Sequence, residues 1–155
     1  MHYQNQARTK RVIREYFELK NMFIKFSHIF EDVLSKNEEL NAKYGTLKKD
    51  SFTFSAFDDR IEVKFTIRVS DDQISIGQLS FNKILPRNER KMIHILFFDE
   101  EGNVLNPENI ENCSCNFRNE GEVKYILFEF LNKYINNNFG NRIINNKITE
   151  LINNE

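Results

Sequence analysis

Charged side chains crowd one short stretch of the chain: Asp58 and Asp59, followed by Glu62-Val63-Lys64. Carboxylates grouped with a lysine can hold a divalent cation and orient a water for attack on a phosphodiester. His2, His28 and His94 are scattered, with no His-x-x-x-His pair, and the two cysteines lie together in Cys113-Ser114-Cys115. That distribution offers no zinc-type ligand set. No Gly-x-Ser-x-Gly elbow fixes a nucleophile, and the five glycines do not cluster into a phosphate loop. Catalytic residues, metal and cofactor are therefore all expected to be none, and no enzymatic activity is expected. The remaining chemistry is charge. The net charge is only -1, but residues 1–25 carry a net of +4, with Arg8, Lys10, Arg11 and Arg14 at their centre. Residues 83–91, with Arg87, Arg90 and Lys91, carry a net of +3, which leaves -8 for the rest. Two basic segments against an acidic background predict a contact with an anionic macromolecule, either an acidic protein or a nucleic acid. Local pairing with Glu15 and Glu18 is the plainer reading of the first segment.

The acidic stretch is similar to the acid-plus-Glu-x-Lys arrangement of metal-dependent nucleases, a resemblance that implies Mg²⁺-assisted phosphodiester hydrolysis. It covers only residues 58–64 and departs from that pattern. In that family the acid and the Glu-x-Lys lie on adjacent strands and a helix follows the second; here the acids fall in a turn and another strand follows. Alternating charges on the outer face of a strand account for the same residues.

These side chains need elements to position them. Stepping by four and three residues from Val12 meets Tyr16, Leu19, Phe23, Phe26, Phe30, Val33, Asn37, Leu40, Tyr44 and Leu47, so ten of eleven positions are apolar or aromatic. The spacing predicts a long helix over about 7–48, with Ser35–Glu38 as the place where a break would divide it. Ile13, Phe17, Met22, Ile24, Ile29 and Leu34 widen the stripe beyond a two-stranded coiled-coil seam. Phe23, Phe26 and Phe30 then have two readings, as core of their own chain or as an intermolecular surface.

Period-two alternation marks four strands between about 52 and 98, clearest in Ile61, Val63, Phe65, Ile67 and Val69. In the third, Ile74 and Ile76 give way to Leu79 and Phe81, and the shift of parity at Gly77-Gln78 reads as a β-bulge. The run Met92–Phe98 is apolar on both faces and is expected to be covered on both or to lie at an interface. A further short strand is expected at 113–117, then helices over about 121–136 and 141–153. The whole, residues 1–155, reads as a single α+β domain: a long N-terminal helix, a four-stranded antiparallel meander and one or two C-terminal helices. Such strands are shorter than the long helix, so the expectation is that Asn37–Leu47 docks on the sheet while Val12–Leu34 reaches past it. On that reading both basic segments share one side of the molecule.

No apolar run approaches the 18 or more residues that span a bilayer, and the N-terminal residues lack signal-peptide order. A cytoplasmic protein of bacterial or phage origin, with no membrane contact, is expected. The functional expectation is a small non-enzymatic protein that binds another protein sterically, as an inhibitor, an anti-defence or immunity-type factor, a chaperone or a complex subunit, with a homodimer as a second arrangement. The alternative is a nucleic-acid-binding protein or nuclease subunit that uses the basic segments.

Overall fold

The computed structural model describes residues 2–70, 74–105 and 112–138. Helix α1 runs His2–Lys36, a 3-10 turn covers Glu38–Leu40, and seven strands follow: β1 Lys43–Leu47, β2 Ser51–Ala56, β3 Asp59–Val69, β4 Ser75–Ile84, β5 Arg90–Phe98, β6 Asn103–Leu105 and β7 Asn112–Asn116. Helix α2 spans Glu120–Asn138. The strands pair antiparallel in sequence order from β1 to β7. The expected helix at 121–136 is α2; the one at 141–153 lies outside the described residues.

The sheet has seven strands where a four-stranded meander was expected, and one of the three others, β1, comes from the end of the predicted long helix. Asn37, the one polar residue on the apolar seam, is 7% exposed and donates its Nδ2 to the carbonyl of Val33 at 2.7 Å. That bond satisfies a helix-terminal acceptor with a side chain, which removes the incentive to add another turn. Asn41 then adopts left-handed φ (50°) and swings the chain into β1. Leu40, Tyr44 and Leu47 kept helical spacing only by coincidence. Tyr44 is in a strand and its ring stacks on Phe52 at 5.5 Å. The expectation that Asn37–Leu47 is helix docked on the sheet is therefore overturned. Strands β6 and β7 come from the stretch with the weakest pattern, β7 falling one residue before the expected 113–117.

Both helices pack on one face of the sheet. Alternate residues of β3 (Ile61, Val63, Phe65) and of β4 (Leu79, Phe81) point to them, all within 1% of complete burial. Phe23 stacks on Phe52 and Phe65, Phe30 lies 4.9 Å from Phe54, and Phe130 of α2 stacks on Phe81 at 5.0 Å. Phe26 meets Phe117 at 4.4 Å, joining α1 to the connection before α2. Rings held 4.5–7 Å apart add about 0.5–1.5 kcal/mol per pair to their area burial, so these contacts seat α1 as well as a continuous aliphatic stripe would.

The register of β3 on β4 is regular through Gly77 and Gln78, so the expected bulge is absent there. Gly77 occupies a core-facing position, and a Cβ on it would stand 2.2 Å from the ring of Phe98. The glycine is needed for close approach, not for a kink. The irregularity lies instead between β4 and β5, where Phe81 pairs with His94 but Asn82 pairs with Met92, leaving Ile93 as the extra residue. On the opposite face of β5, Ile95 and Phe97 are half-buried and Met92 is 60% exposed, so the run Met92–Phe98 is fully covered on one face only.

Candidate functional site

The first turns of α1 hold four of the ten predicted contact residues, Arg8, Lys10, Arg11 and Arg14. Residues 3–10 are exposed, including Arg8 and Lys10, as are Ile13, Arg14, Phe17 and Glu18. At 3.6 residues per turn, Lys10, Ile13 and Phe17 fall on one side of the helix, away from the side of Leu19, Phe23 and Phe26. Ile13 is 51% and Phe17 54% exposed, which is unusual for large apolar side chains in a chain with so full a core. The plainer charge reading also holds in part: Arg11 Nε lies 3.7 Å from Glu15 and Arg14 Nε 3.9 Å from Glu18. No acidic residue occupies the first helical turn, so the positive end of the helix dipole meets cations rather than anions.

Phe23, Phe26 and Phe30 are each fully buried in this chain's own core. Of their two readings the intramolecular one describes the structure, and these three rings present nothing to a partner. The division of the helix is the reverse of the expected one: Leu19–Leu34 lies on the sheet, and the basic N-terminal turns carry the exposed apolar groups.

The second basic segment does not join the first. Ile84 pairs with Arg90 across the β4–β5 turn, at the end of the sheet where Lys83 Nζ also bonds Asn138 Oδ1 at 3.0 Å. The N-terminal half of α1 lies toward the other end, with the Tyr16 ring 5.7 Å from Phe65 and Met22 against Gly102 beyond β5. The expectation of one shared basic side is thus overturned. Arg87 and Lys91 are exposed, whereas Arg90 is engaged, its Nε 3.3 Å from Glu62 and its Nη1 2.7 Å from the Asn88 carbonyl.

The acidic stretch does not converge either. Phe57 and Asp58 both take left-handed φ (54° and 64°) in a two-residue hairpin turn, the form whose twist matches that of the strands. Asp59 shares the parity of the core-facing residues of β3; it accepts a hydrogen bond from Tyr134 of α2 and lies 3.5 Å from Lys83. Glu62 has the opposite parity and is engaged by Arg90 and Asn82 on the outer face. Two carboxylates on opposite faces of a sheet cannot share one cation. Among the described residues no group of three or more His, Cys, Asp or Glu side chains is placed to hold a metal.

What the structure does assemble is a cleft of about 600 Å³ between α2 and strands β5, β6 and β7. Leu96, Val104, Leu105 and Ile126 line it, with Glu129 and Lys133 of α2 alongside. His94 lies in its wall, 4% exposed, its Nδ1 2.7 Å from Lys133 Nζ. An ammonium can only donate, so Nδ1 accepts and the ring proton resides on Nε2. Nε2 is buried with no partner. Burial first, and the Lys133 charge second, pull the imidazole down from 6.5 to about 4. His94 is thus the hydrogen-bonded buried residue that its apolar strand suggests, whereas His28 is exposed. Sequence reasoning did not single out Glu129 or Lys133. Their i, i+4 spacing on a well-marked helix was visible, but which side of that helix faces an opening is a tertiary fact.

No helix is long and apolar enough to cross a membrane among the described residues. Comparison of the chain with known protein families, curated proteins and solved structures finds no match.

Proposed function

We propose that this chain acts by binding another macromolecule, a protein with an acidic surface, through the N-terminal turns of α1. The observation that carries the reading is the exposure of Ile13 and Phe17 on a helix side that also bears Lys10 and lies beside Arg14. Apolar anchors surrounded by charge are the composition of an interface core and rim. An acidic partner also relieves the cations at the helix N-terminus, each worth about 0.3–1 kcal/mol at low salt. The mode is steric, with no chemical step: the helix occupies a partner's surface and blocks or stabilises it. Inhibitor, immunity-type factor, chaperone and complex subunit are the roles that such a contact serves. A homodimer through this surface is disfavoured, because two copies would bring like charges together.

The test is capture from the native host with tagged wild type and with the double variant Ile13→Asp, Phe17→Asp, followed by mass spectrometry. A stoichiometric protein retained by the wild type and lost by an equally stable variant is expected. No stoichiometric partner, or one retained equally by both, would overturn the reading. Salt-sensitive retention on a DNA column, abolished by Arg8→Glu with Arg14→Glu, would move the assignment to nucleic acid.

A further inference from the structure

The α2 cleft carries an inference independent of the helix surface. Its volume of about 600 Å³ falls within the roughly 300–1,000 Å³ of sites for small organic molecules. Glu129 stands four residues before Lys133, the order and spacing at which a helical glutamate and lysine ordinarily pair. They are not paired here: Lys133 Nζ turns instead to His94 Nδ1 at 2.7 Å. Among the described residues the carboxylate of Glu129, a half-buried residue, has neither a cationic partner nor a hydrogen bond. A buried imidazole Nε2 with no acceptor lies in the same wall. One turn of α2 thus presents an unmatched anion and, beside it, a cation with ammonium protons to spare. Both stand next to an apolar floor of Leu96, Val104, Leu105 and Ile126. The complement of that arrangement is a molecule with an ammonium, a carboxylate and an apolar body.

We propose that the cleft binds a small apolar zwitterion, an apolar α-amino acid or a short apolar peptide, with its ammonium on Glu129, its carboxylate on Lys133 and its side chain on the apolar floor. Each end makes a charge-assisted contact, so neither charge alone suffices. The experiment is an NMR titration of the full ¹⁵N-labelled chain with L-leucine, L-phenylalanine and the dipeptide Leu-Leu, alongside isopentylamine and isovalerate, which carry one charge each. Saturable shifts confined to α2 and strands β5–β7 are expected for a zwitterion, weakened about tenfold or more in Glu129→Gln, with the single-charge probes weaker by a similar factor. Tighter binding of Leu-Leu than of leucine assigns the peptide as the source, and the reverse assigns the free amino acid. Glu129→Gln alters an incompletely buried side chain, and an unchanged melting temperature verifies its fold. Absence of saturable shifts with all three zwitterions, equal affinity in Glu129→Gln, or equal affinity for isopentylamine would overturn the proposal.

Discussion

Acidification from pH 7 to pH 5 is expected to cost this fold about 2 kcal/mol at one residue, His94. Its imidazole sits 4% exposed, packed against the ring of Phe81 at 5.6 Å and holding the Lys133 ammonium at Nδ1. The folded value is about 4 and the ordinary one 6.5. At pH 7 the ring is mostly neutral whether the chain is folded or not. At pH 5 the unfolded chain has taken up the proton and the folded one has not, so the folded state loses stability on the way down. The loss sets in as pH falls through 6.5, grows to about 3 kcal/mol near pH 4, and levels off below that as the folded-state ring takes up its proton. The sign follows from a lowered base: stability is present above the unfolded value and lost toward the folded one. The physical reason is first that burial disfavours the charged ring, and second that a proton at Nδ1 would place two cations at hydrogen-bond distance. Urea unfolding of wild type and His94→Gln at pH 7 and pH 5 reads the effect directly, because the variant's amide oxygen can still accept from Lys133. The difference between the two proteins isolates this ring from all other groups that titrate. If both lose the same stability to within a few tenths of a kcal/mol, the reasoning about His94 fails.

Further outcomes follow from the packing. Gly77→Ala should destabilise by about 1–3 kcal/mol, since its Cβ would meet the Phe98 ring at 2.2 Å; denaturant midpoints check it, and Phe98→Leu in the same chain should recover part of the loss. Phe26→Ala should cost about 3–5 kcal/mol as a fully buried ring, whereas Phe17→Ala on the exposed side should change stability by less than about 0.5 kcal/mol; thermal unfolding of the two separates the buried and exposed sides of α1. Asn37→Ala should remove the side-chain bond that closes α1 and cost about 1–2 kcal/mol, with amide exchange quickening around Val33 and Leu34. Lys133→Met should raise the His94 titration from about 4 without restoring it to 6.5, because burial is the larger cause; ring-proton shifts against pH report it.

The sequence by itself determined the elements whose pattern is local. Ile61–Val69 alternates cleanly and is a strand; Val123, Ile126, Leu127, Phe130, Leu131 and Tyr134 recur at helical spacing and are the buried side of α2. The α+β class and the exposure of Arg8, Lys10 and Arg14 followed from the same kind of reading. Tertiary structure decided what depended on partners distant in the chain. Helical spacing continued through Leu47, but the chain leaves the helix at Asn37, because a strand pairing with β2 and a ring stacked on Phe52 outweigh a few more turns. Gly77 looked like a bulge because the bulk that fills its place, Phe98, comes from another strand. The basic segments looked adjacent until the course of α1 along the sheet placed them at opposite ends. The cleft with His94, Glu129 and Lys133 was legible only in pieces, since a side chain's periodicity shows which side of a helix it occupies and never what that side faces.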